Sequence, residues 1–270
     1  KQSYPIREQI NQIGESDRDF IERLMSEVGI FYTFALQQDT QTEVLILGDK
    51  QSCYVFGKTL PLGNPAGMND NGVESVWGLS QRHQVVESSV QAKDYNHREA
   101  QLSLLSSRAD MTRGDGDGIT YGDVYQYQPR HLTRGDATTP APESGNFWAR
   151  LEHERFLAAQ TQLQGSSTDA SLRLLEVLTV MDSDIPSSLP SVWQTPVVIT
   201  GLRFSASRST PLHVGFSAVP YSETLCWRPA LKPRPKVSGT MMARVTSAKT
   251  NDIYAWQDAS GLYRVKFDAD

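Results

Sequence analysis

The chain has 270 residues, of which 39% are hydrophobic and 21% charged, with a net charge of −5 and a pI of about 5.6. A nucleic-acid groove or a surface for anionic lipids gathers excess Lys and Arg, so this acidic composition excludes both as the main partner. A chain of this length buries roughly three quarters of its unfolded surface, which is enough for one large domain or two ordinary ones.

Two further features of the composition bear on where the chain folds. It has no run of about 18 apolar residues, and its first residues, KQSYPIREQ, lack the apolar core of a signal peptide. We therefore expect assembly in the cytoplasm, with any export following a route that cleaves no signal. Cys53 and Cys226 have no CxxC or His-rich neighbours, and we expect two buried, reduced thiols rather than a disulfide framework or a zinc site.

The segment from Gly14 to Phe34 predicts a helix followed directly by a strand. Ser16 is a good N-cap, and Gly29 supplies the left-handed residue that ends a helix. Between them an apolar stripe recurs at three- and four-residue spacing: Phe20, Ile21, Leu24, Met25 and Val28. We expect this stripe to be buried against β-structure, with Leu24 in the core and Glu22 away from it.

Most of the remaining chain has the pattern of short strands separated by turn residues. The predicted strands lie at 30–34, 43–49, 51–57, 83–95, 121–128, 172–180, 195–207 and 211–221, with 207–210 as a hairpin-like connection. Residues 147–163 have helical composition, although FWARLEHERFL also fits a strand. The fold class predicted is mainly β with one or two helices, in barrels or sandwiches, with surface loops at 60–72 and 135–145.

Three prolines in the eleven residues WRPALKPRPKV (227–237) predict a stiff extended linker and a domain boundary. After it, two strand-like runs at 241–245 and 263–267 are too few to close a barrel, so the chain is expected to end inside a domain.

Several segments, taken in order, carry a resemblance to a known family. They are R-E-Q-I at Arg7–Ile10, G-E-S-D-R-D-F-I-E-R-L with E-V-G-I-F-Y, T-G-L-R-F-S-A-S-R-S-T-P-L-H-V-G-F-S-A-V-P-Y at 200–221, Trp227-Arg228-Pro229, and P-K-V-S-G-T-M-M-A-R-V. In this order they resemble the VgrG family, the spike proteins of type VI secretion, which are related to contractile-phage tail hubs. Gly261-Leu262-Tyr263-Arg264 stands where the family usually has a Gly-Arg pair, a minor departure.

The resemblance implies a tail hub-like region of two interleaved barrel domains over residues 1–231, without the N-terminal part that family hubs carry. Residues 232–270 would then be the linker and the start of an OB-type barrel at the needle base. It also implies a homotrimer that presents pseudo-sixfold symmetry to the hexameric Hcp tube, carries secreted effectors and pierces a target-cell membrane. Its role would be mechanical, with no catalytic residues, no cofactor and no metal.

Signatures of catalysis are weak in the sequence. His83, His97, His131, His153 and His213 are scattered without HExxH spacing, and surface or partly buried positions are expected for them. Ser16 lies in G-E-S-D-R, which lacks the final Gly of a nucleophile elbow.

Asp115 and Asp117 lie in a glycine-rich loop, but without the spacing and closing Glu of an EF-hand. A solvated loop is the better interpretation of it. The tripeptides Arg113-Gly114-Asp115 and Arg134-Gly135-Asp136 match the cell-adhesion sequence, and matches of this length arise easily by chance.

A second class of function is a glycan-binding or hydrolytic β-barrel module, in which Trp77, Trp148 and Trp256 would stack on sugars. Tryptophan flanked by strand residues is more often part of a core. A monomer with affinity for sugars would favour the module, and a symmetric trimer without turnover would favour the hub.

Overall fold

The computed structural model describes residues 3–37, 39–63, 72–114, 118–133, 142–182, 187–247, 249–259 and 261–267. Most of the two predicted loops, 60–72 and 135–145, lies outside these residues. Asp115, Asp117 and the second Arg-Gly-Asp tripeptide, residues 134–136, also lie outside them.

The described residues form two helices and thirteen strands, so the prediction of a mainly β fold with one or two helices is confirmed. The helices are α1 (Asp17–Glu27) and α2 (Gly145–Gln160). The strands are β1 (Phe31–Gln37), β2 (Thr42–Gly48), β3 (Val55–Pro61), β4 (Val76–His83), β5 (Ser89–Asp94), β6 (Leu104–Leu105), β7 (Asp123–Tyr127), β8 (Thr161–Ser167), β9 (Glu176–Met181), β10 (Val197–Ser205), β11 (His213–Pro220), β12 (Ala243–Val245) and β13 (Val265–Phe267).

The central element is a six-stranded sheet in the order β3-β9-β10-β11-β8-β4, curled into a half-barrel. Strands β10 and β11 form the predicted antiparallel hairpin through residues 206–212, and β3 runs parallel to β9. Both edge strands carry a glycine with positive φ where the register shifts, Gly57 at +99° and Gly78 at +62°. Such bulges twist an edge strand and so hinder pairing with another chain.

The middle of this sheet is buried on both faces. On one face Trp193, Leu178, Ile199 and neighbouring residues form the largest apolar cluster. On the other face Val198 and its neighbours pack against Phe31, Tyr54 and Cys226. Burial of both faces explains why β9 and β10 have nearly continuous apolar runs instead of an alternating pattern.

A smaller sheet, β6-β5-β7, packs its inner face on α2 through Val90, Ala92 and Ala149. Two further antiparallel pairs, β1–β2 and β12–β13, each form a separate two-stranded sheet. The pair β12–β13 agrees with the two strand-like runs predicted near the end of the chain, and the OB-type barrel stays a prediction.

Three strands were missed by the sequence patterns. The helix predicted over 147–163 ends at Gln160, and residues 161–167 form β8 because Leu163 and Gly165 alternate with exposed Gln162 and Gln164. Strands β4 and β6 were also missed, and the predicted strand 51–57 begins with a 3-10 turn before β3. In the long strand predicted at 83–95 only Ser89–Asp94 is extended as β5.

Candidate functional site: a buried ionic cluster at helix α1

Helix α1 begins and ends as predicted. The Ser16 hydroxyl accepts a hydrogen bond from the backbone N–H of Asp19 at 3.2 Å. Gly29 has a φ of +73°, and an added Cβ there would come within 2.7 Å of the Leu151 side chain. A side chain at this position would therefore be strained both by its backbone conformation and by contact with α2.

The face of α1 that is buried is the polar one, contrary to the prediction. The exposed fractions of Arg23, Ser26 and Glu27 are only 3%, 3% and 1%. Leu24 is half-buried and Ile21 is 52% exposed. The predicted core position of Leu24 is therefore wrong. The charged residues of α1 are buried instead, because oppositely charged side chains from other segments pair with them.

Glu27 lies at the centre of this ionic cluster. Its Oε2 accepts from Arg7 Nη1 at 2.7 Å and lies 3.1 Å from His131 Nε2. Its Oε1 accepts from Arg234 Nε at 2.8 Å and lies 3.7 Å from Arg23 Nη1. One carboxylate thus joins four segments of the chain, and its most distant partner, Arg234, is 207 residues away from it in sequence.

The pKa of Glu27 reflects these contacts. Burial alone would raise it, but the hydrogen bond with His131 and the charges of Arg234 and Arg7 outweigh burial and lower the pKa from 4.5 to about 2. Glu27 is therefore ionised at every physiological pH, and its charge is available to hold the surrounding cations in place.

A second shell of contacts fixes the cations themselves. Arg7 Nε donates to Glu143 Oε1 at 2.6 Å, and Trp148 Nε1 donates to Glu143 Oε2 at 3.0 Å. Arg23 Nη2 forms an ion pair with Glu15. Each guanidinium has a carboxylate partner of its own or a carbonyl, which offsets the cost of burying its charge, although the buried Arg234 Nη2 has no hydrogen-bond partner among the described residues.

The predicted linker, which has neither helix nor strand, is packed against the same helix. The Lys232 ammonium pairs with Glu22, and the Lys232 backbone N–H donates to Ser26 Oγ at 3.2 Å. The hydrogen bond from Lys232, followed by that from Tyr32, lowers the pKa of Glu22 to about 2. Glu22, expected to lie off the apolar stripe, thus contacts the linker.

The beginning of the linker is held by α2. Arg228 Nε pairs with Glu154, while its Nη1 donates to the backbone oxygens of Gly29 at 3.0 Å and Asp49 at 2.8 Å. Arg155 Nε donates to the Pro229 oxygen at 3.1 Å. The chain therefore leaves the sheet along a path fixed by two helices.

The five histidines lie in separate environments and do not form a cluster. His83, His97 and His213 are exposed and His131 is half-buried. His153 is fully buried, contrary to the prediction, with Nδ1 accepting from Met111 N–H at 2.8 Å and Nε2 lying 3.1 Å from the Glu87 oxygen. Within the described part of the chain no group of three His, Cys, Asp or Glu side chains has the geometry of a metal site.

The cysteines and tryptophans are placed as follows. Cys226 is buried and Cys53 half-buried, and both are free thiols. Trp148 is buried beside Glu143, so it is not available to stack on a sugar. Trp77 is half-buried with its ring edge-on to His213, and Trp256 is 39% exposed.

Three residues of the apolar stripe, Leu24, Met25 and Val28, line an open groove of about 680 Å³ together with Ile6, Ile10 and Phe147. No helix in the described ranges has the length and hydropathy needed to cross a membrane.

Sequence reasoning missed the ionic cluster, because its members come from distant segments. Two local signals were present. Arg23 and Glu27 have the i,i+4 spacing of a helical ion pair, and Arg228, Lys232 and Arg234 each precede a proline.

Comparison with known proteins shows which family has this architecture. The profile of the family described as phage tail baseplate hub (GPD) matches residues 1–208. The E. coli c3393 protein, described as a component of the type VI secretion system with structural similarity to T4 bacteriophage tail proteins gp27 and gp5, superposes with a TM-score of 0.66. It is 33% identical, and the match covers 99% of this chain and 54% of that one.

Two curated relatives are similar over nearly the whole chain. VgrG5, a type VI secretion system spike protein of Pseudomonas aeruginosa, is 26% identical over 98% of this chain and 33% of its own length. The actin cross-linking toxin VgrG1 of Vibrio cholerae is 25% identical over 98% of this chain and 23% of its own length. The chain thus spans about a quarter to a third of these relatives. It belongs to the phage tail baseplate hub family and is similar to the VgrG spike proteins.

Proposed function

We propose that this chain is the hub region of a type VI secretion spike, a structural component without catalytic activity. The observation that carries the proposal is similarity along the whole chain to spike proteins, together with the fold shared with the E. coli secretion component. The fixed path of residues 227–234 supports a mechanical role, because a hub has to hold the segment that follows it in a defined direction.

In this proposal the protein assembles in the cytoplasm as a homotrimer and leaves the cell without a cleaved signal peptide. Three copies present six similar domains to the hexameric Hcp tube. Residues 1–231 form the hub, and residues 232–270 lead into an OB-type barrel at the base of a needle that carries effectors through the target membrane.

The mass of the full-length gene product in solution tests this proposal. Analytical ultracentrifugation at micromolar concentration is expected to give a trimer, and a monomer would refute the spike-hub assignment. The chain of residues 1–270, measured beside it, is expected to associate more weakly, since association must overcome several kcal/mol of lost rotational and translational freedom.

A secretion assay tests the role in the machine. In a host with an active type VI system, deletion of the gene is expected to stop release of the tube protein into the medium, and the wild-type gene is expected to restore it. Unchanged release after deletion, in a host with no second spike gene, would contradict the proposal.

A further inference from the structure

The linker contacts divide into two groups with different burial. We call residues 227–234 the strap. Its inner anchor is made by Arg228 and by the Pro229 carbonyl, which are bound by Glu154 and Arg155 of α2. Its outer anchor is made by Lys232 and Arg234, which bind Glu22, Ser26 and Glu27 of α1.

The spacing of the charges on the strap matches the spacing on the helix. Lys232 and Arg234 are two residues apart, and an extended proline-rich segment rises about 3.1 Å per residue, which separates them by about 6 Å. Glu22 and Glu27 are five residues apart on α1, which corresponds to about 7.5 Å along the helix axis and a rotation of about 140° around it, so the long Lys232 and Arg234 side chains reach them from one strap. Because Lys232 pairs with Glu22 and Arg234 with Glu27, the strap runs in the same direction as the helix and both pairs form together.

The prolines maintain this spacing between the two basic residues of the strap. Pro233 and Pro235 follow the two basic residues directly. A residue before proline is held in the extended region, and the proline itself has a fixed φ. Little backbone entropy is therefore lost when the strap binds α1.

We propose that the outer anchor is a latch, in which the buried polar face of α1 holds the strap on the hub and so sets the direction of the chain beyond residue 234. Opening of the latch begins after Pro229 and leaves the inner anchor closed. The contacts of the latch do not depend on the proposed function. Only its role rests on that function, and this role is to keep the following segment aligned under load.

Hydrogen exchange of the 270-residue chain, followed by mass spectrometry, tests the latch. The amide that reports on the outer anchor is that of Lys232, because its N–H donates to Ser26 Oγ on α1 at 3.2 Å, whereas the neighbouring Pro233 has no amide hydrogen. The test variant is Lys232→Met with Arg234→Met, which removes both charges and retains long side chains. The matched control is Lys236→Met, an exposed lysine two residues beyond the strap.

The double variant is expected to raise the exchange rate of the amide at position 232 by about tenfold or more, while the amides of β10 and β11 keep their rates. The control is expected to leave all of these rates unchanged. Glu27→Gln is expected to open the strap from the helix side, but it also disturbs Arg7. The two linker variants therefore decide the question if Glu27→Gln unfolds α1.

Unchanged exchange of the amide at position 232 in the double variant would overturn the latch, and so would an equal increase in the control. The same variant in the full-length protein separates this inference from the proposed function. A monomeric wild-type protein refutes the hub and leaves the exchange result standing. A trimeric protein whose strap exchange does not respond to the double variant refutes the latch alone.

Discussion

Replacement of Glu27 by Gln is expected to destabilise the protein substantially, although Glu27 lies on the charged side of an amphipathic helix. Its pKa falls from 4.5 to about 2. Each pKa unit corresponds to about 1.4 kcal/mol, so the ionised carboxylate contributes about 3 kcal/mol to the free energy of unfolding at pH 7. Removing one partner of a buried ion pair typically costs about 3–5 kcal/mol.

The lower end of that range applies because most of the surrounding cations keep another partner. Arg7 retains Glu143, and Arg23 retains Glu15. Arg234 and His131 lose their carboxylate partner, and Arg234 keeps a hydrogen bond to the Pro129 oxygen at 3.2 Å. We therefore expect a loss of about 3 kcal/mol, measured by urea denaturation at pH 7.

The pH dependence of this loss follows from the sign of the pKa shift. A carboxyl whose folded-state pKa is lowered stabilises the protein above its unfolded pKa, and this contribution disappears as the pH falls toward the folded value. The difference between wild type and Glu27→Gln is therefore expected to be constant from pH 7 to about 5 and to shrink between about pH 4.5 and 2. Other carboxylates contribute equally to both proteins and cancel in the difference.

Glu43→Gln is the matched control, since Glu43 is exposed on β2, and its effect should stay within about 0.5 kcal/mol. A loss below about 1 kcal/mol for Glu27→Gln at pH 7, or a loss that does not change on acidification, would refute the argument that the buried polar face of α1 stabilises the fold.

Two further predictions concern the sheet. Trp193→Ala should cost about 3–5 kcal/mol in urea denaturation, because this fully buried side chain fills the main cluster; Trp256→Ala should change stability by less than about 0.5 kcal/mol, and equal effects would contradict the burial described. Gly165→Ala should cost about 1–3 kcal/mol, because the new methyl group would lie 2.5 Å from the Phe216 ring. Gly215→Ala, with its nearest contact at 3.9 Å, should be close to neutral, and the order of the two thermal midpoints checks this.

The proposed trimer and the latch add two tests that do not depend on these free energies. The first is the mass of the full-length protein, and the second is the exchange rate of the Lys232 amide. The free energy of Glu27→Gln measures the whole cluster, whereas exchange in the linker variants measures only the strap.

Local features of this protein could be predicted from its sequence because their causes are local. The N-cap at Ser16 and the left-handed Gly29 depend on hydrogen bonds and steric contacts within one turn of helix. The hairpin of β10 and β11 and the extended linker depend on apolar runs and prolines that lie together in the sequence. Similarity to spike proteins could likewise be recognised from the order of short segments.

Which face of α1 is buried was decided by the tertiary structure. Periodicity places Leu24 and Ile21 in the apolar stripe of the helix and Glu27 at the edge of that stripe, but it does not say what each part of the helix surface contacts. Burial of Glu27 requires cations from positions 7 and 234, and only the folded chain brings them within 3 Å of its oxygens. The same holds for β8, where three residues that continue a helical pattern pair with β11 and β4 instead. A short segment carries its own propensity, whereas burial of charge and pairing of strands depend on partners far away in the sequence.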